Sequence, residues 1–322
     1  MENPVYDLII LGGGCAGLTA GIYAGRAGLK TLILESRSTG GQAAITAEIG
    51  NYPGVPDVSG FDLIESMLKQ AKGFGAEFKQ SSVNSVLLSG DFKQVNTAQG
   101  SFRSYAIILA TGATPKKLGF EGEDEFRGRG VGYCATCDGF FFKGKDIFVV
   151  GGGNSAAEEA LYLTRFAKKV TMLVRKDALR CERTLANRVL AHPKIEVKFS
   201  TELVRAFGEH NLKGAELKNN KTGEISTYTV PEEDGTFGIF VFVGYEPETS
   251  SIKGQLELNE AGYIITNERM ETSLAGVYAA GDVREKALRQ LVTATADGAI
   301  AAVQAGNYIT AEKERLKTAL RP

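Results

Sequence analysis

Short apolar runs alternate along the chain with glycine-punctuated, alanine-rich stretches, and the alternation occurs twice. Tyr6-Asp7-Leu8-Ile9-Ile10-Leu11 is brief, apolar on consecutive positions and rich in branched side chains, which predicts a buried strand of a parallel sheet. Lys145-Asp146-Ile147-Phe148-Val149-Val150 has the same pattern. Each run enters a glycine cluster, Gly12-Gly13-Gly14-Cys15-Ala16-Gly17 and Gly151-Gly152-Gly153-Asn154-Ser155-Ala156, and each cluster opens a segment of helical spacing, Leu18 to Ala27 and Ala156 to Phe166. A second apolar strand follows in both copies, Thr31 to Leu34 and Val170 to Leu173. The copies superpose without a gap, so the sequence carries two strand-helix-strand units.

The pattern then turns polar and turn-rich in both halves. Ser82 to Ser104, with turn signals at Ser89-Gly90-Asp91 and Gln99-Gly100-Ser101, leads into the buried run Ala106 to Gly112. Ile195 to Thr229, with turns at Gly208-Glu209-His210 and Lys221-Thr222-Gly223, leads into Phe237 to Gly244. Each half thus reads as a nucleotide unit, an antiparallel meander and a closing strand. The expected fold is α/β, with two Rossmann-like dinucleotide-binding domains, each a parallel sheet with a meander, the second inserted in the first. The expected boundaries are 1–115 and 248–322 for the first domain and 116–247 for the second. Proline-containing connectors lie near Thr114 to Lys117 and Tyr245 to Glu248, and the charged tail from Ala311 to Pro322 reads as a solvated helix end.

Composition adds limits. A length of 322 residues exceeds the roughly 250 to 300 at which single cores stop growing. The formal net charge of -1 gives no general attraction to nucleic acid or to an anionic membrane, and no apolar run approaches the roughly 18 residues of a bilayer span. The N-terminus shows no basic region or cleavage site, and four cysteines do not make a disulfide scaffold, so a cytoplasmic, reducing setting is expected.

The glycine clusters have the strand before them and the helix after them that dinucleotide binding requires: glycines permit a tight turn and bring a pyrophosphate close to free helix N–H groups. The copies differ where donor choice is decided. The first ends its second strand at Glu35, where a carboxylate accepts hydrogen bonds from a ribose 2′-hydroxyl. The second has Val174 there, followed by Arg175 and Lys176, with Arg180 nearby. Loss of the acid and gain of cations suits a 2′-phosphate, so the first site fits FAD or NAD and the second NADPH; a solvated basic strand end is the alternative for these cations.

Between the clusters lies Cys134-Ala135-Thr136-Cys137-Asp138, a spacing that lets two thiols cycle with a disulfide. Asp138 is the candidate proton carrier, since His192 and His210 lie outside any motif; a cap on a helix starting near Gly139 is its structural alternative. Zinc is discounted, because the other candidate ligands are scattered. Cys15, at a helix start, is assigned to packing, and Cys181 to an incidental place in a charged helix.

Taken in order, Gly40-Gly41-Gln42, Asn51-Tyr52-Pro53-Gly54, Ala110-Thr111-Gly112-Ala113, the CATCD segment, Gly151 to Ala160, and Gly281-Asp282-Val283-Arg284 with Arg289-Gln290 resemble the low-molecular-weight thioredoxin reductases over nearly the whole chain. The resemblance implies a homodimer that reduces thioredoxin with FAD and NADPH. For FAD it implies Gly12, Gly14, Ala16, Gly17, Glu35, Gly40, Gly41, Gln42, Asn51, Val83, Ala110, Thr111, Gly112, Gly281, Asp282, Arg289 and Gln290. For NADPH it implies Gly151, Gly153, Asn154, Ser155, Ala156, Glu159, Arg175, Lys176 and Arg180. It makes Cys137 the flavin-proximal sulfur and Cys134 the one that attacks thioredoxin, an order that spacing alone leaves open. Two departures stand out: Cys15 where the family has proline or alanine, and Val174-Arg175-Lys176 where it has His-Arg-Arg. A related flavoprotein or redox sensor using NADH, or reduced by a protein electron carrier such as ferredoxin, is the competing reading. Because disulfide and nicotinamide belong to one domain and must meet the same flavin, that domain is expected to rotate during turnover.

Overall fold

The first apolar run becomes the strand Val5–Leu11 in the middle of a seven-stranded sheet, in a computed structural model that describes residues 5–36, 39–46, 49–55 and 58–319. Alternate side chains of this strand enter different layers, as the two-residue period of a strand demands. Leu8 and Ile10 pack with Leu18 and Ile22 of the helix Cys15–Arg26, Ile64 of the helix Gly60–Gly73 and Ala305 of the helix Leu291–Ala319. Ile9 and Leu11 pack on the other face with Val95, Ile252 and Ile264. All four strand residues are fully buried or nearly so, each contributing about 1.5 to 3 kcal/mol by leaving water. Thr31–Glu35 and Glu77–Gln80 extend the sheet on one side; Gly100–Leu109, Lys93–Thr97 and Val83–Leu87 extend it on the other, and Val277–Ala279 also pairs with Gly100–Leu109.

These elements form one unit, Met1–Thr114 with Glu246–Pro322; Pro115–Tyr245 form a second, so the second unit interrupts the first in sequence. The second unit is built on a five-stranded parallel sheet in the order Ile195–Phe199, Lys169–Val174, Asp146–Val150, Gly238–Val241, Val131–Gly132. One face packs on the helix Asn154–Leu163 through Ala156, Ala157, Ala160 and Leu163. The other packs through Phe148, Phe237 and Ile239 on a separate antiparallel sheet of Thr201–Gly208, Leu212–Asn219 and Ile225–Thr229. Among the described residues no helix is long and apolar enough to cross a membrane.

The sequence reading needs three corrections. The last meander strand of the first unit and its closing strand are one element, Gly100–Leu109, which pairs antiparallel with Lys93–Thr97 in its first half and parallel with Val5–Leu11 along most of its length. No glycine or proline interrupts Phe102 to Leu109, so the change from polar to apolar marks entry into the sheet centre rather than a turn. Ile195–Phe199 belongs to the parallel sheet instead of the second meander, and Ser200 separates the two. Cys181 lies in a bend before the helix Arg183–Ala191, because the neighbouring N–H groups of Arg180 and Glu182 bond to Gly152 O and Asn154 Oδ1 and leave no helical ladder there. The charged tail is, as expected, the mostly exposed end of the helix Leu291–Ala319, where Lys313 pairs with Asp7, and Arg315 with Glu312 and Asp91; Leu320, Arg321 and Pro322 lie outside the described residues.

Candidate functional site

The glycine clusters have the same internal design in three dimensions. A methyl group on Gly12 would fall 2.2 Å from the Ala110 carbonyl oxygen, and one on Gly151 2.5 Å from that of Phe242, so each first glycine lets the end of the closing strand pass close by. The second glycines abut the end of the second strand, Gly13 against Glu35 and Gly152 against Val174. The third glycines differ from both. A Cβ on Gly153 would meet nothing within 4 Å, and one on Gly14 only the Gly40 carbonyl at 3.9 Å. Gly14 and Gly153 are the N-caps of Cys15–Arg26 and Asn154–Leu163, in extended conformation and with no capping side chain. Two helix starts thus present backbone N–H groups beside open space, which is what a pyrophosphate needs.

This contrast yields a paired prediction. Gly17→Ala puts a Cβ 1.9 Å from the Gly12 carbonyl oxygen, and destabilises the first unit by about 3 kcal/mol or more. Gly153→Ala shifts the melting temperature by less than about 2 °C, yet weakens binding of a nicotinamide dinucleotide about tenfold, because the methyl occupies the open space. Thermal melts and nucleotide-quenching titrations read the two effects separately.

In the first unit the helix start opens on a cavity of about 290 Å³. Gly12, Gly14 and Ala16 line one side, Glu35 and Val83 another, and Gly40, Gly41 and Gln42 a third. Ala110, Thr111 and Gly112 enter from the end of Gly100–Leu109, and Gly281 and Asp282 from the segment after Val277–Ala279. Glu35 is buried, and its Oε2 accepts the Gly13 N–H at 2.7 Å. Asp297 fixes the turn carrying Asp282 by accepting from Gly281 N (3.0 Å), Arg284 Nη1 (3.3 Å) and Lys286 Nζ (2.7 Å). Asp282 Oδ1 and Arg289 Nε are buried without a hydrogen-bond partner, a costly state that a polar ligand relieves. Burial also raises the Asp282 pKa. The orphaned Asp282 oxygen, which lies on the cavity wall, and the open third glycine fit a flavin dinucleotide.

Four residues of the sequence-based FAD set stand apart from the cavity wall. Gly17 packs on Gly12, Asn51 Nδ2 donates to Gln290 Oε1 at 3.1 Å across the length of the unit's sequence, and Arg289 lies over the Tyr263 ring at 4.3 Å. The sequence reading missed Cys15, Glu248, Ser250 and Ser251 on the cavity wall. The last three follow the return of the chain to this unit and carry no motif; they arrive because Thr111 Oγ1 donates to the Glu248 carbonyl (2.8 Å) and Glu248 N–H to the Gly112 carbonyl (3.0 Å). Cys15 is 5% exposed, and burial, then Asp282, pushes its thiol up to about 12, so it is a packed thiol rather than a nucleophile.

In the second unit the candidate residues gather at the carboxyl edge of the parallel sheet, where ligands of such sheets bind. Gly151 follows Asp146–Val150, Arg175 and Lys176 follow Lys169–Val174, and Cys134 follows Val131–Gly132 after one residue. Gly153, Asn154, Ser155, Arg175, Lys176 and Arg180 are exposed. Ala156 is fully buried behind Gly151, and Glu159 is half-buried with its pKa raised by burial and by Glu158.

Cys134 and Cys137 form a disulfide with Cα atoms 5.3 Å apart. Cys134 caps the short helix Ala135–Asp138, and its sulfur accepts the Cys137 N–H at 3.2 Å and lies 3.4 Å from the Thr136 hydroxyl. Cys134 is half-buried and Cys137 exposed. The Asp138 side chain caps nothing; a Cβ on Gly132 would lie 3.1 Å from its Oδ2 and 3.2 Å from the Phe240 ring, so the carboxyl sits against the bare backbone of Gly132, which the Phe240 ring also borders. That desolvation raises its pKa to about 6, where a carboxyl carries protons near neutrality. Among the described residues no three His, Cys, Asp or Glu are grouped to hold a metal ion.

Residues 6–298 match the family model described as pyridine nucleotide-disulphide oxidoreductase. A thioredoxin reductase of Peptoclostridium litorale is 48% identical over 310 residues, covering 96% of this chain and 98% of that protein. That of Bacillus subtilis is 44% identical, covering 98% and 99%. The crystal structure of thioredoxin reductase from Streptococcus pyogenes is similar with a TM-score of 0.91 at 40% identity, covering 96% of this chain and 100% of that one.

Proposed function

Because the chain belongs to the pyridine nucleotide-disulphide oxidoreductase family, we infer that it is a thioredoxin-disulfide reductase, passing electrons from a nicotinamide through a flavin and Cys134/Cys137 to oxidised thioredoxin. The observation that carries this reading is the disulfide at the carboxyl edge of the sheet that also presents the second open glycine cap. We assign FAD to the cavity of the first unit and NADPH to the second. FAD is supported by the orphaned Asp282 oxygen on the cavity wall, NADPH by the exposed Arg175, Lys176 and Arg180 in place of an acid. The homodimer is supported by Val292, Ile300 and Val303, exposed apolar residues on one side of the helix Leu291–Ala319.

When bound, the flavin supplies two-electron transfer between the nicotinamide and the disulfide. The chain provides the rest. The Cys137 N–H and the Thr136 hydroxyl stabilise a thiolate at Cys134, which attacks one sulfur of the oxidised thioredoxin disulfide and forms a mixed disulfide. The Cys137 thiolate then attacks Cys134, releasing reduced thioredoxin and restoring the Cys134–Cys137 bond. Asp138 delivers and recovers the proton that the departing sulfurs require.

A charge-assisted hydrogen bond is worth about 1.5 to 3 kcal/mol, so kcat/KM for NADPH exceeds that for NADH by about a hundredfold, and Arg175→Ala narrows the ratio about tenfold. Anaerobic titration of the flavin with each nicotinamide, followed by reduction of thioredoxin, tests the assignment. Bleaching by a reduced iron–sulfur protein but by neither nicotinamide replaces it with the electron-carrier reading.

A further inference from the structure

The strand Lys169–Val174 delivers its basic residues beside a corner of the chain. Ser200, at a φ of 49°, occupies the left-handed region and turns the parallel strand Ile195–Phe199 into the meander strand Thr201–Gly208. Three hydrogen bonds tie this corner to the basic segment. Ser200 N–H donates to the Lys176 carbonyl at 2.9 Å, Asn220 N–H to the Ser200 carbonyl at 2.7 Å, and Asn220 Nδ2 to the Arg175 carbonyl at 3.2 Å. The entry corner of the meander and the turn between its second and third strands are therefore held against the segment proposed to carry the 2′-phosphate. Glu202, two residues past the corner, brings Oε1 within 3.9 Å of Arg175 Nε.

We propose that Glu202 is a specificity-determining residue for the nicotinamide donor, which weakens binding of 2′-phosphorylated dinucleotides by pairing with Arg175 and setting a negative charge beside the phosphate position. This deepens the NADPH assignment and rests on it. At 3.9 Å the contact is an ion pair rather than a hydrogen bond, so Glu202 acts by its charge, competing with a phosphate for the guanidinium that would otherwise meet it with a planar fork. Lys176 compensates only in part, since an ammonium acts as a point charge without that fork. The Arg175 and Glu202 side chains are 70% and 39% exposed, so the antagonism is moderate and weakens with salt. An unphosphorylated adenosine presents no charge to Glu202 at this place and is indifferent to it.

The experiment measures calorimetric affinities of the flavin-loaded full chain for 2′,5′-ADP and for 5′-AMP, in wild type, Glu202→Gln, Glu202→Lys, Arg175→Ala and the Arg175→Ala/Glu202→Gln double variant. Glu202→Gln tightens 2′,5′-ADP about threefold and Glu202→Lys about tenfold, while 5′-AMP is unchanged. Both gains shrink between about 0.05 M and about 0.5 M salt. In the Arg175→Ala background the gain from Glu202→Gln falls to less than half, the sign of an effect acting through the pair. Equal changes for the two ligands, or none for 2′,5′-ADP, overturn the proposal; if Arg175→Ala still weakens 2′,5′-ADP, the NADPH assignment survives that result. If Arg175→Ala leaves 2′,5′-ADP unaffected, the basic segment does not hold the phosphate and both fall.

Discussion

Serine in place of Cys134 or of Cys137 abolishes thioredoxin reduction, lowering turnover by about a thousandfold or more, while both variants retain their flavin. A single thiol forms a mixed disulfide but does not resolve it, and one oxygen for sulfur removes the redox pair altogether. Flavin retention is expected because the cavity of the first unit is lined by Gly12, Glu35, Gln42, Thr111 and Asp282 and by neither cysteine. The two variants also differ from each other. The donors around Cys134, the Cys137 N–H and the Thr136 hydroxyl, favour Cys134 as the attacking thiolate. On the proposed order, Cys134→Ser leaves Cys137 as the thiolate that meets the flavin during turnover, and its expected signature is a long-wavelength charge-transfer band. The same band in Cys137→Ser instead reverses the order, and normal turnover in either variant removes the disulfide from the mechanism.

Asp138→Asn slows formation of the dithiol about a hundredfold at pH 6, and also removes a pH-dependent limb from that step. Burial raises the Asp138 pKa to about 6, so the acid form is present below that value and is lost above it. In wild type the rate therefore falls about tenfold per unit above pH 6, whereas the asparagine variant is flat; an unchanged limb in the variant assigns the ionisation elsewhere. Stability moves the other way. A carboxyl whose folded pKa lies above its unfolded value binds its proton more tightly when folded, so stability declines as pH rises from about 4 towards 6 and stays lower above. The amide that replaces it carries no such charge. The variant accordingly melts higher than wild type at pH 7.5 and matches it at pH 4, which separates a catalytic loss from a misfolded protein.

Local patterns in the sequence identify the parts of the site that depend on local chemistry. Gly12 to Gly14 and Gly151 to Gly153 announce themselves because an apolar strand, a turn and a helix must follow one another within a few residues. Glu35 and Val174 are readable for the same reason, since the repeat fixes their register. Glu248, Ser250 and Ser251 are not, because they reach the cavity through hydrogen bonds to Thr111 and Gly112 from far along the chain. Glu202 is equally hidden: its approach to Arg175 depends on the corner at Ser200, and nothing in a polar meander marks one glutamate among many. The single strand Gly100–Leu109 shows the limit of reading polarity as a boundary, since one strand changes character on passing from the sheet margin to its centre. The charge of the tail correctly marks a solvated helix end but says nothing of the distant Asp7 and Asp91 that pair with Lys313 and Arg315.

The interrupted order of the first unit governs how the protein is made. Residues Pro115–Tyr245 leave the ribosome as a continuous stretch containing all five strands of their parallel sheet, so this unit has every partner it needs while translation continues. The first unit must wait. Val277–Ala279, the turn carrying Gly281 and Asp282, and the helix Leu291–Ala319 are the last parts synthesised, and they supply a sheet strand, one wall of the cavity and a packed layer. A chain stopped just before Val277 thus holds every strand of the second unit's parallel sheet and both cysteines, yet lacks a wall for the flavin. Yellow colour in a nascent or truncated product accordingly reports completion of the polypeptide, and a reductase starved of flavin is delayed at its final step of assembly rather than at its first.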